Sequence, residues 1–155
     1  MSSNTPLYPM SIPPLRVAIG LTLTHIVRYV IEPKNNSAID GHGATELHFG
    51  PEVLSIYPGK NEDYILIENK ALDSRDYDSR YWSCYDLSAE AKFSKLIGSK
   101  LERVEIFGDE MADTGLCLIF EGNQKLWIYY NDTDLLFRYS PEVSDPIDEH
   151  RLTVS

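Results

Sequence analysis

The chain has 155 residues, 43% of them apolar, and a net charge of −10 from 14 basic and 24 acidic side chains; that length buries a core in one domain without help from a disulfide or a metal. The charge is uneven: residues 1–70 carry five basic and seven acidic groups (−2), residues 71–98 four and five (−1), and residues 99–155 five and twelve (−7). Such a field repels phosphates and anionic headgroups, which argues against nucleic acid and membrane surfaces as partners, and no apolar run nears the ~18 residues that span a bilayer.

Met1 to Leu15 holds four prolines and no basic residue before Arg16, so it does not read as a targeting segment, and the chain is expected to be cytoplasmic. Cys84 and Cys117 are then expected to be reduced and mostly buried. Leu21 to Ile31 is rich in Thr, Val, Ile and Tyr and is stopped by Pro33, which reads as a strand. In Thr45 to Phe49, Leu47 and Phe49 alternate with Glu46 and His48, and Gly50-Pro51-Glu52 turns the chain into Val53 to Tyr57. Pro58 to Asn61 turns it again into Tyr64 to Glu68, giving a four-stranded antiparallel meander.

Ala71 to Leu87 crosses to the second half without a period, a length that is usually functional or held down by its own side chains. Ser88 to Gly98 reads as an amphipathic helix, with Ala89, Phe93, Leu96 and Ile97 on one face, Ser88 as cap and Gly98 as stop. Beyond it come four more strands, Leu101 to Phe107, Leu116 to Phe120, Lys125 to Tyr130 and Leu135 to Tyr139. Both faces of this second sheet are apolar: Phe107, Cys117, Ile119, Trp127 and Tyr129 oppose Val104, Ile106, Leu118, Phe120, Leu126 and Ile128, so it must be covered twice.

The second unit repeats the first. Ile19-Gly20-x-x-Leu23-x-x-Ile26 matches Ile97-Gly98-x-x-Leu101-x-x-Val104, Leu47 and Phe49 match Leu118 and Phe120, and Leu54-x-Ile56-Tyr57 matches Leu126-x-Ile128-Tyr129. The expected fold is therefore α+β, mainly β: two four-stranded antiparallel meander repeats with a pseudo-twofold relation and one central amphipathic helix. It is a single domain of repeat one (19–68), linker and helix (69–98), repeat two (99–140) and a loosely attached acidic tail (141–155).

Alternate connections of a meander lie at the same end, so Asp109, Glu110, Asp113, Asp132 and Asp134 should crowd one edge. There they could dock Lys and Arg of a partner, whereas the plain alternative is that Asp simply favours turns. No EF-hand spacing accompanies them. In the crossing segment Asp76, Tyr77, Asp78, Tyr81 and Trp82, interleaved with Arg75 and Arg80, have the composition of an interface centre, or of a buried crossover. His25 and His48 on neighbouring strands, with Asp40 and His42 between them, could form a metal or acid–base pair, but no zinc-motif spacing supports it. Nucleophile, phosphate-loop and dinucleotide motifs are missing, so no catalytic residue, metal or cofactor is assigned.

The runs Ile97-Gly98-x-x-Leu101-x-x-Val104, Gly115 to Phe120 and Leu126 to Tyr129, together with the acidic charge and small size, resemble the single-domain immunity proteins that bacteria encode beside polymorphic toxins. The likeness covers about a third of the chain, and no residue role can be carried over by position. It implies a stoichiometric, non-catalytic binder that occludes the active site of a basic toxin, a nuclease suiting the charge best. Two alternatives stand beside it: a small metal-dependent enzyme using His25 and His48, and a self-associating module using the outer face of Ile119, Trp127 and Tyr129.

Overall fold

The structure, a computed structural model, describes residues 12–30, 43–59, 64–72, 82–108, 113–131, 134–139 and 150–155. A short helix α1 (Ile12–Ala18) precedes strands β1 (His25–Val30), β2 (Gly43–Phe49), β3 (Glu52–Pro58), β4 (Ile65–Glu68), β5 (Ser83–Asp86), β6 (Leu101–Gly108), β7 (Asp113–Phe120), β8 (Gln124–Asn131), β9 (Asp134–Tyr139) and β10 (His150–Val154). They form two five-stranded antiparallel sheets, ordered β4-β3-β2-β1-β5 and β10-β6-β7-β8-β9. Among the described residues no helix is long and apolar enough to cross a membrane.

All eight strands expected from alternation are present, but each sheet has five strands rather than four. The extra strand returns in both cases to pair antiparallel with the first strand of its meander, β5 with β1 and β10 with β6. β5 escapes sequence patterning because four residues are too few to display a period; it turns Tyr85 toward the core and exposes Cys84 and Asp86. β10 corrects the expectation of a loose tail: Val154 is buried and Leu152 packs on the core. Cys117 is buried as expected, whereas Cys84 is exposed, and no disulfide joins them.

Inner positions of the two sheets meet in one core. Ile26, Leu47, Leu54 and Ile56 from the first join Val104, Leu118, Phe120 and Ile128 from the second, with Leu15 and Ala18 of α1 closing one side. The inner faces of the two sheets therefore pack on one another. A second cluster, Phe107, Cys117, Ile119, Trp127 and Tyr129, lies on the opposite face of the second sheet and is also buried. The double burial read from the sequence is thus present, and it is met within one chain. Ile119, Trp127 and Tyr129 are 1%, 6% and 9% exposed, so this face is not open for self-association.

The expected helix over Ser88 to Gly98 is instead a run of turns. Most of its backbone bonds span three residues, as in Glu90 to Leu87, Phe93 to Glu90, Leu96 to Phe93 and Ser99 to Leu96, with one four-residue bond from Ser94 N to Glu90 O. Eleven residues are marginal for a helix on propensity alone. Three serines offer the backbone other partners: Ser88 Oγ accepts from Ile26 N (3.0 Å), Ser94 Oγ bonds Ala91 O (3.4 Å) and Ser99 Oγ bonds Lys95 O (3.2 Å). Phe93 and Leu96 still enter the core as the helical pattern intended, while Ala89 stays exposed. The true helix, α1, starts at Ile12 with Pro13 and Pro14 in its first turn, where a missing N–H costs nothing.

Between α1 and β1, residues 20–23 leave the first sheet and meet residues 98–101. Gly20 N donates to Leu101 O (2.7 Å) and Gly98 N to Leu23 O (2.8 Å); Leu23 N donates to Ser99 O and Leu101 N to Leu21 O, both 3.0 Å. Thr22 and Lys100 form the bridge at the centre. Gly20 and Gly98 have φ of 86° and 91°, the left-handed region that glycine enters without a Cβ penalty. The sheet registers match as well: Ile26 faces Leu47 and Leu47 faces Leu54 in the first, as Val104 faces Leu118 and Leu118 faces Leu126 in the second.

Candidate functional site

Four polar or charged side chains among the described residues are buried, Arg28, Thr45, Glu46 and Ser55, and all belong to the first sheet. The second sheet has no buried polar or charged side chain among the described residues.

Arg28 and Thr45 face the core. The Arg28 guanidinium is fully buried; Nη1 donates to Ala44 O (2.8 Å) and Tyr29 O (2.9 Å), and Cζ lies 5.3 Å from the Phe137 ring centroid of the other sheet. Thr45 Oγ1 donates to Val27 O at 2.7 Å. Gly43 is required beside them, because a Cβ there would lie 1.8 Å from Tyr29 O and 3.0 Å from Arg28 Nη1.

Glu46 and Ser55 face outward, in a row with the histidines. His25 and His48 are direct partners across β1 and β2, with ring centroids 6.0 Å apart and planes at 77°. His48 Nε2 is 3.0 Å from Glu46 Oε1, and Glu46 Oε2 accepts from Leu72 N at 2.8 Å. One buried carboxylate thus orients an imidazole and holds the start of the crossing segment. Ser55 Oγ donates to Lys70 O, and Tyr57 donates to Glu68 Oε1, tying the same segment across β3.

On the other flank, Asp86 of β5 accepts from Ser88 N at 2.9 Å. The Ser88 hydroxyl and N–H hold its carboxyl below the ordinary range against a small opposing effect of burial, and His25 and His48 push it further down. Tyr29, also on this face, is pushed up to about 12 by burial first, then by the charge of Glu46 and by the charge and hydrogen bonding of Cys84.

The residues expected to form the site divide by position. Asp76, Tyr77, Asp78, Tyr81, Asp109, Glu110 and Asp132 lie outside the described residues, as do Asp40 and His42. Trp82 is half-buried just before β5. Asp113 and Asp134 begin β7 and β9, and register puts both at one end of the second sheet: Asp113 pairs with Gly108, and Asp134 with Asn131. The approach of His25 to His48 is as the strand order implied. Glu46 and Asp86 are the additions. Glu46 was legible as the residue sharing His48's side of β2, whereas Asp86 needed the unforeseen pairing of β5 with β1. Among the described residues no group of three or more His, Cys, Asp and Glu side chains could hold a metal ion. Comparison with protein-family models, with curated proteins and with solved structures found no match.

Proposed function

We propose that the chain is an internally duplicated β-sandwich that acts as a non-catalytic, acidic binding protein, of the kind bacteria use to neutralise a toxin by covering its active site. The duplication is supported by the matched registers, by the fifth strand added in the same place to each sheet, and by the reciprocal bonds of residues 20–23 with 98–101 about the Thr22–Lys100 bridge. The pseudo-twofold axis would pass through that bridge.

The observation that carries the binding reading is the common end of the second sheet. Strand ends at Gly108, Asp113, Asn131 and Asp134 flank the two acid-bearing connections, in the part of the chain that holds −7 of the −10 charge. A basic partner would be steered to that end, and charge pairs there would set association rate more than residence time. A toxin that cleaves nucleic acid suits this charge, since its own substrate is an anion.

The product of the gene adjacent to this one is the partner to test. Co-expression is expected to relieve its toxicity, with a one-to-one complex whose association slows as salt rises. Asp113→Lys with Asp134→Lys is expected to slow association by about 10-fold at low ionic strength. No complex and no relief would refute the proposal, and association unaffected by the double reversal would remove its electrostatic part.

A further inference from the structure

The sheet order divides the chain at one place. All five strands of the first sheet end by Asp86 and all five of the second begin at Leu101 or later, so among the described residues no ladder of paired strands crosses between them. We infer that the two sheets are self-contained parts whose shared core is an association interface, each part fitting the other as a separate chain. The inference rests on sheet order and packing, and needs neither the toxin reading nor the duplication, so its failure leaves both standing.

Each part turns its inner apolar face to the other. Ile26, Leu47, Leu54 and Ile56 meet Val104, Leu118, Phe120 and Ile128 in one core. β2 lies against β9 and β4 against β7, so the contact runs across the width of both sheets. The buried Arg28 guanidinium reaches across to the Phe137 ring, 5.3 Å from its centroid, and four backbone bonds clasp residues 20–23 to 98–101. An apolar centre that holds an aromatic ring and an arginine, with backbone bonds at its margin, is the composition of a contact between protomers. Apart, each sheet would expose that inner face to water.

The covalent join is slight. Leu87 N donates to Ile26 O (2.8 Å) and Ser88 Oγ accepts from Ile26 N (3.0 Å), so the chain is held by the first part as far as Ser88. Phe93 belongs to the second part, its ring centroid 6.3 Å from that of Phe137 with the planes at 79°. Ala89, Glu90, Ala91 and Lys92 between them are all exposed. Such a stretch tolerates insertion and cleavage. As a tether it supplies each part with its counterpart at an effective concentration on the order of millimolar.

Inserting the recognition sequence of a site-specific protease between Glu90 and Ala91 of the full chain tests this, and an insertion between Ala91 and Lys92 repeats it at a second point. After cutting, the fragments are expected to migrate together in native chromatography and to regain the near-ultraviolet circular dichroism of the uncut chain on dilution from urea. The urea midpoint of the uncut chain should be independent of protein concentration. That of the cut chain should fall with each dilution, the folded-to-unfolded ratio at micromolar protein dropping by about 1,000-fold as the tether is lost. Leu118→Asp, which charges the inner face of the second sheet, should abolish reassembly of the cut chain, whereas Glu102→Gln at an exposed position should leave it unchanged. Fragments that separate without urea, or that fail to regain the signal together, overturn the inference, as does a cut chain whose midpoint ignores dilution.

Discussion

At the scale of single residues, Gly43 and Arg28 set how closely β1 and β2 approach. A Cβ on Gly43 would lie 1.8 Å from the Tyr29 carbonyl oxygen, so Gly43→Ala must push the strands apart beside a buried guanidinium. The expected loss is about 3 kcal/mol, read as a lowered urea midpoint. Tyr29 makes a pH-dependent contribution. Its folded value of about 12 lies above the ordinary ~10, so the neutral phenol is favoured by folding. That stability is complete below about pH 10 and is lost as pH rises toward about 12. Tyr29→Phe should therefore lose less stability than the parent across that window, measured by urea melts at stepped pH. At this scale the sequence showed which histidines meet but hid which polar residues are buried. Arg28 looks like any strand arginine until β9 is seen to bring Phe137 under it.

Among the elements, the paired I-G-x-x-L segments and the two returning strands carry most of the tertiary order that alternation alone does not reveal. Gly20→Ala and Gly98→Ala have open space for a methyl but the wrong φ, so each is expected to cost about 1 kcal/mol, a drop of roughly 3 °C in melting temperature. Deleting residues 150–155 removes the buried Val154 and the packing of Leu152 and leaves β6 as a sheet edge. A loss of about 3 kcal/mol is expected, with faster amide exchange along β6. Eight strands were legible because Leu47 and Phe49, or Leu126 and Ile128, recur at the strand period on one face. The helix was misread because 88–98 places Phe93 and Leu96 correctly for either a helix or successive turns, and only the competing serine hydroxyls distinguish them. β5 and β10 were missed because their partners lie 43 or more residues away by register, as Phe107 does from His150, and nothing local announces such pairing.

For the whole molecule, two sheets of one topology have been given different outer faces: histidines and carboxylates on the first, and a buried aromatic cluster on the second. Trp127 packs 5.5 Å from Phe107 within that cluster. Trp127→Ala is expected to cost about 3–5 kcal/mol while leaving sedimentation unchanged between dilute and concentrated samples, because that surface is internal to the chain. The acidic strand ends, by contrast, were anticipated by counting reversals of direction, and Asp113 and Asp134 do fall at one end. The clasp formed by residues 20–23 and 98–101 has a further outcome during refolding. Each segment presents the donors and acceptors that its counterpart in any other molecule also satisfies, so crowded refolding is expected to produce exchanged dimers that persist on dilution, while dilute refolding returns monomers. Light scattering after chromatography at the two starting concentrations distinguishes them.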